Sequence, residues 1–423
     1  MKHKKLLITV LLVAILAISM IALVACDKNT TTDGDGNDTT IDGNNSVDKN
    51  KLSMFTYTTT PDGKICITGL KSEYRNITAN VVIPEGIATI SDNAFSHDSK
   101  LETVIIPDSV THIGVSAFAY CPSLTHATIG NGVTSIGYST FSWCTGLIDM
   151  VIPDSVTSIG EDAFNHCIEL INIILPDSVT HIGNCAFYYC TGLKNVTIGK
   201  GVTSIGNDAF TACNKLDAVN IKDLKNWCEI FFENTYANPL YEAHNLYLNG
   251  ELVTDLIIPD GITFIKPYTF ENCTSITSIK IPDSVERIND LAFRECLELT
   301  NVIMGKNVEI IGDFAFYSCS KLASISLPDS VEFIGNYAFA WCQELTSLII
   351  PDSITMIGSS AFTYCTKLTR LYYKGTAKDW ANISIESGNE QLKNSTRYYY
   401  SANKPTDYGN YWHYVGGVST IWA

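Results

Sequence analysis

From Ile83 onward, apolar and polar positions recur with a period of 23 residues. The opening apolar residue of each unit falls at Ile83, Ile106, Ile129, Ile152, Leu175 and Ile198, and again at Ile258, Ile281, Met304, Leu327 and Ile350. The eleven units share the pattern I-P-D-S-V-T-x-I-G-x-x-A-F-x-x-C-x-x-L-x-x-V-x. Within 170–175 the alternation places Ile173 and Leu175 on one face of a short strand. Pro176 ends that strand because it has no N–H to give to a ladder, and Asp177-Ser178 favours a turn. Val179 and Ile182 return to the interior, Gly183 turns the chain, and Phe187 fills the centre. One unit alone cannot bury these groups. Stacked units bury them together, which predicts a repeat solenoid, mainly β, with one continuous core.

The period divides the chain. Residues 83–220 hold six units and residues 258–372 hold five. Residues 221–257 read as a degenerate, longer repeat, with Asn249-Gly250 between apolar runs predicting a type I′ hairpin. Trp227 and Ile230 of this segment are echoed by Trp380 and Ile383 near the end of the chain. Open array ends need caps. Residues 51–82, with Pro61-Asp62-Gly63 as a turn, supply an N-terminal β cap, and residues 373–423, ending in the aromatic YWHYVGG, supply a C-terminal one. Units three, six and nine begin IGNGV, IGKGV and MGKNV in place of IPDSV, a three-unit period that reads as a record of duplication.

Ahead of the array the pattern changes twice. A basic start with Lys2, Lys4 and Lys5 leads into an apolar run from Leu6 to Ala25, the layout of an export signal. The run ends in Leu23-Val24-Ala25-Cys26, which resembles the lipobox of bacterial lipoproteins. That resemblance implies cleavage after Ala25, a signal peptide over 1–25 and a diacylglycerol on Cys26. A plain secretory signal or an uncleaved span are the other readings of the same run, and all three send the rest of the chain outside. Residues 26–50 are polar, rich in Gly, Asn, Thr and Asp, and predict a disordered tether. DGDGND within it lacks the acidic residue a calcium loop needs at its twelfth place, where Asn44 stands.

Charge narrows the function classes. The chain carries 28 Lys and Arg against 44 Asp and Glu, a net charge of −16. Removing a signal peptide with its three lysines takes the balance to −19. Such a surface repels nucleic acid and anionic lipid. Membrane contact is then expected only through the lipid anchor.

The recurring IP-SV--IG--AF--C--L--V positions resemble the BspA-like, treponemal-type leucine-rich repeat family, over about Ile83 to Tyr372. The resemblance implies a right-handed solenoid with a parallel sheet on its inner face and short turns or helical turns on the outer side. It also implies a bacterial surface protein that adheres to host matrix proteins, host cells or other bacteria.

The candidate chemistry is sparse. The 14 cysteines include two rows spaced by 23, Cys121 to Cys213 and Cys273 to Cys365. Stacked neighbours lie about 4.8 Å apart, within disulfide range, yet their thiols point in parallel and each row holds an odd number. Buried, unpaired thiols are the favoured reading, with some pairing under oxidising conditions as the alternative. Convergent C-x-x-C pairs for zinc are absent, as are G-x-S-x-G, H-E-x-x-H and G-K-[ST] signatures. No catalytic residue, metal or cofactor is assigned. His112 and His181 stand three units apart, about 14 Å, and read as solvated strand residues.

Surface lanes are the better candidates. An outward strand phase carries Ile105, Val151, Ile174, Ile303, Ile349 and Tyr372. It reads either as an interaction surface or as ordinary β-propensity. A second row, one residue before the cysteines, holds Tyr120, Trp143, Tyr189, Trp341 and Tyr364, for partner contacts or for packing against neighbouring units. Glu286, Glu309 and Glu332 form an acidic ladder, for a basic partner or a solvated face. Together these features predict a lipid-anchored surface binding module, an adhesin for a protein or glycan on a host or neighbouring cell. The rival classes are a structural envelope component and a surface hydrolase, the latter without a supporting motif.

Overall fold

Coil stacks on coil through two parallel sheets, not one. The computed structural model describes residues 49–407 and 409–422. The expected signal peptide 1–25, Cys26 and the expected tether up to Asp48 lie outside the described residues. Lys49–Leu52 forms a turn of 3₁₀-helix. The chain then winds into a mainly β solenoid of about 15 turns with few helices.

The coil starting at Leu175 shows the local logic. The first strand, Asn172–Ile174, pairs in parallel with Asn195–Ile198 of the next coil, Ile173 opposite Val196. Leu175 N–H still donates to the Thr197 carbonyl at 2.9 Å, and Pro176 then ends the ladder. Asp177-Ser178 turns the chain, and the Ser178 hydroxyl donates to Val156 O of the previous coil at 2.7 Å. A second strand of two residues, His181–Ile182, pairs with Ser158–Ile159 behind it and Ser204–Ile205 ahead. The sequence placed His112 and His181 on solvated strands, but strands of two residues are too short to show the period of a second sheet. His112 and His181 both lie in it, exposed.

The core is the shared interior. Ile173, Leu175, Val179, Ile182, Phe187, Cys190 and Leu193 are all buried. Equivalent phenylalanines stack face over face, Phe95 to Phe118 at 5.1 Å and on to Phe210, then Phe270 to Phe362 in the second block. Offset stacking of this kind adds to the gain from burial.

Gly183 does not turn the chain, contrary to the expectation from its position. The left-handed residues of this coil are Cys185 and Tyr189, at φ 52° and 57°. Gly183 is needed for close approach: a Cβ there would sit 2.5 Å from Glu161 N and 2.6 Å from Gly160 C. Close approach also accounts for the IGNGV variants. A Cβ on Gly132 would lie 2.1 Å from Asp108 O, and one on Gly201 2.1 Å from Asp177 O. These loops rest directly on the preceding Pro-Asp turn, whose carboxylate accepts the Asn131 N–H at 2.7 Å in one case and the Lys200 N–H at 3.2 Å in the other.

The segment after Ile221 still makes one coil, by a longer route. Asp223 caps the helix Leu224–Glu229. Phe231–Phe232 joins the second sheet beside Ser204–Ile205, and Leu246–Leu248 joins the first beside Val219–Ile221. Leu246–Leu248 then folds back on Glu251–Leu252 through Asn249 and Gly250, both at positive φ. Neither sheet continues from here. The first restarts at Asp255–Ile257 and the second at Phe264–Ile265, without strand pairing to the inserted coil. Side chains bridge this step. Trp227 Nε1 donates to Thr269 O at 3.0 Å, Asn238 Nδ2 to Tyr268 O at 2.6 Å and Asn272 Nδ2 to Tyr241 O at 2.8 Å.

The ends are closed by antiparallel pairs. Phe55–Thr59 pairs with Ile65–Leu70, and Tyr411–Val415 with Val418–Ile421. Trp412 is fully buried and its indole N–H donates to Tyr373 O at 2.9 Å. Gly183→Ala is expected to lower stability by roughly 1–3 kcal/mol through backbone overpacking. Urea unfolding checks it, and an unchanged midpoint would show that the coils can part at no cost.

Candidate functional site

Three rows of side chains follow from the 23-residue register. On the first sheet, the outward position pairs Val82 with Ile105, Ile105 with Thr128, Thr128 with Val151, and Ile174 with Thr197. In the second block it pairs Ile257 with Lys280, Lys280 with Ile303, and Ser326 with Ile349. Val151 is 68% exposed, Ile174 and Ile303 are each 55% exposed, and Ile349 is partly covered. Val82 and Ile257 belong to the same lane, at 56% and 62% exposure. Both lie at block edges, where the repeat consensus is weakest, so the register found them and the pattern did not. Tyr372 is withdrawn from the face. It occupies the same lane opposite Ile349, but Tyr398 and Trp412 of the C-terminal cap pack over it and leave it buried.

The aromatic row is a stack. Tyr120 and Trp143 lie 5.9 Å apart between centroids, nearly parallel. His97 extends the stack at one end, and His166 fills the gap between Trp143 and Tyr189 at 3.9 and 4.9 Å. Trp341 and Tyr364 form a shorter stack at 4.1 Å in the second block. Each of these residues has φ near +60°. The backbone N–H of Tyr120, Trp143, Tyr189 and Trp341 donates to the next coil, as from Trp143 to Asn165 O at 2.7 Å. Within the longer stack Tyr120 and Trp143 lie between neighbouring rings and present mainly their edges, while Tyr189 ends the stack with a parallel ring only at His166. Burial lowers the pKa of His166, with Asp162 opposing, so this ring meets its neighbours uncharged at neutral pH.

The cysteine rows serve the core. All 13 cysteines among the described residues are free. Most ladder thiols donate to a phenylalanine carbonyl in the coil behind, as from Cys167 to Phe141 O at 3.2 Å and from Cys190 to Phe164 O at 3.1 Å. Parallel thiols aimed at carbonyls do not meet each other. Burial pushes the Cys190 and Cys228 pKa values up to about 12. A thiol reagent should therefore leave the buried ladder cysteines unmodified in the native protein. Among the described cysteines only Cys66 and Cys185 are partly accessible. Mass spectrometry before and after denaturation checks this, and rapid native labelling of Cys167 would contradict the buried ladder.

One buried charge cluster escaped the sequence pattern, because its members occupy variable positions of two adjacent regular coils, Glu271 and Arg294 standing 23 residues apart. Glu271 is 1% exposed and Arg294 Nη1 lies 2.9 Å from its Oε1, while Arg294 Nη2 reaches Glu295 at 2.7 Å. Glu271 Oε2 has no hydrogen-bond partner. Burial raises the Glu271 pKa to about 7, against the opposing pull of Arg294. A carboxyl raised on folding binds protons that the unfolded chain releases. Its contribution is therefore largest below the unfolded value of about 4.3 and is lost as pH rises through 7. Thermal melting should show a higher Tm at pH 5 than at pH 8, and Glu271→Gln should flatten that dependence by an amount on the order of 1–3 kcal/mol. An unchanged pH profile in the variant would remove Glu271 as its source.

Nothing in this arrangement gathers a reaction centre. Among the described residues no group of three or more His, Cys, Asp or Glu side chains could hold a metal ion. An open hollow of about 440 Å³ beside Tyr373 is lined by Asp352 and Asp379. The Asp379 carboxylate is engaged in a capping box with Thr376, whose hydrogen bonds lower its pKa.

Stacked parallel sheets, a 23-residue step and lanes of exposed side chains define a leucine-rich repeat solenoid, a protein-interaction type of fold. A model of the BspA type leucine rich repeat region matches residues 72–167, 111–238 and 243–371, and the chain belongs to that family. Proteins with such repeats are generally non-enzymatic binding scaffolds, and BspA-type members are typically found at the cell surface. Similar solved structures include a leucine rich cell surface protein of Faecalibacterium prausnitzii, with 27% identity, 79% of this chain and 97% of that chain covered, and a TM-score of 0.47. A leucine-rich repeat protein of Bacteroides ovatus has 26% identity, 79% and 98% coverage, and a TM-score of 0.49. The pneumococcal vaccine antigen PcpA, at 16% identity, 84% and 98% coverage and a TM-score of 0.50, shares the fold. No curated protein matches the chain. Among the described residues no helix is long and apolar enough to cross a membrane.

Proposed function

We propose that this protein is a surface-displayed adhesin, lipid-anchored through Cys26, that binds a protein or glycan of a host or neighbouring cell. The observation that carries the reading is the apolar lane on the first sheet. Val151, Ile174 and Ile303 stand more than half exposed on regular strands whose inward neighbours Met150, Ile173 and Val302 are already buried. Burying these side chains against a partner would stabilise a complex by about 25 cal/mol per Å² before the costs of association. The lane belongs to a rigid array, so its side chains are held in place before a partner arrives.

The aromatic rows support protein contact more than sugar stacking. A sugar ring packs on an open aromatic face, and inside the longer stack both faces of Tyr120 and Trp143 are covered by neighbouring rings. Exposed edges with a hydroxyl or indole N–H suit a polypeptide.

The test is binding of the purified chain to immobilised matrix proteins, mucins and glycans. Val151→Asp, Ile174→Asp and Ile303→Asp combined should abolish saturable binding, a loss on the order of 100-fold, with an unchanged circular dichroism spectrum. Self-association without binding to any target would favour a structural envelope role instead.

A further inference from the structure

On the second sheet the two blocks differ in one place. Two neighbouring rows run along this sheet. In the first block the row before the strands is threonine at Thr111, Thr134, Thr157, Thr180 and Thr203, with bonds linking Thr134 through Thr203, such as Thr180 Oγ1 to Thr157 O at 3.0 Å. In the second block three consecutive coils replace threonine with Glu286, Glu309 and Glu332. Backbone bonds of 2.8 and 2.9 Å join them, Glu309 N to Glu286 O and Glu332 N to Glu309 O. All three are exposed, and among the described residues none forms an ion pair.

The outward row beside it changes over all five coils of the second block. The first block carries His112, Ser135, Ser158, His181 and Ser204. The second carries Phe264, Arg287, Ile310, Phe333 and Met356, in register. Phe264 is 49% exposed and the other apolar members are partly exposed. The buried positions beneath are the same in both blocks, Ile159 and Ile182 against Ile311 and Ile334. The core therefore does not require the change. Three like charges stacked about 4.8 Å apart repel one another, and exposed Phe, Ile and Met gain nothing from water.

We propose that this strip is a docking surface for a basic amphipathic helix of a partner protein. Its apolar side lies on Phe264, Ile310, Phe333 and Met356, and its lysines or arginines face Glu286, Glu309 and Glu332. The spacings agree. A helix laid along the stack advances about 5.4 Å per turn against about 4.8 Å per coil, so charges one turn apart stay in step over three coils. Arg287 is the one cation in the outward row. The strip lies on a different sheet from the apolar lane of the proposed adhesin face, so either surface stands without the other.

The experiment uses the full chain and a fluorescent, helix-forming peptide of lysine and leucine, with lysines at every third or fourth position. A matched peptide with glutamate for lysine is the control. The lysine peptide should bind saturably, more weakly at higher salt, and the glutamate peptide should not. Glu286→Gln, Glu309→Gln and Glu332→Gln together should weaken binding about tenfold or more. Phe333→Ser should weaken it independently, while the Ile174→Asp and Ile303→Asp variants should leave it unchanged. The three glutamines replace exposed groups, so a folding defect does not obscure the result. Equal binding of both peptides, binding indifferent to the glutamine variants, or sedimentation showing the strip occupied by a second copy of this chain would overturn the proposal.

Discussion

Each coil is completed by its neighbours. The first and second strands have no partner within their own coil, the left-handed N–H groups find carbonyls one coil ahead, and the cysteine thiols find them one coil behind. A buried backbone group without a partner costs about 1–3 kcal/mol, so a lone coil would be unstable many times over. The 23-residue step follows from this need. Insertion of one residue into a coil would shift its strand register and turn core side chains outward.

The same constraint builds the surface. Once coils stack in register, every exposed position becomes a row, and a row is long, straight and evenly spaced. Function on such a scaffold is written as departures from the consensus at exposed positions. Ile174 and Ile303 stand on one sheet, and Glu286 and Phe333 stand on another. Side chains that hold coils together are uniform, as the phenylalanine and cysteine rows show.

Much of this is legible in the residues alone. The repeat names its own core: Ile173, Phe187 and Cys190 are buried where the period places them, and the free thiols follow from parallel side chains in a ladder. Other features are hidden for physical reasons. The second sheet has strands of two residues, too short for alternation to register. A glycine in the repeat suggests a turn, whereas Gly183 answers to the backbone of the coil behind it and the positive φ falls on Cys185 and Tyr189. Tyr372 sits in the exposed phase, and only the fold of the C-terminal cap covers it. Glu271 and Arg294 stand one repeat apart, at a variable position whose residue type the consensus does not set.

The inserted coil carries one more consequence. Within the repeat array it is followed by the one step, among the described residues, at which strand pairing lapses in both sheets together. Elsewhere a lapse in one sheet is bridged by the other, as where Ser158 pairs with His181 beside the unpaired Val151 and Ile174. In a one-dimensional array, cooperativity passes only through nearest-neighbour couplings. Here the coupling rests on the continuous apolar core, the Trp227 indole, two asparagine amides and a backbone bond from Ser275 to His244. Under mechanical load or mild denaturant, the array would yield at this seam first. The second block could then come apart while the first still held its shape, so that a chain pulled from one end would behave as two springs in series.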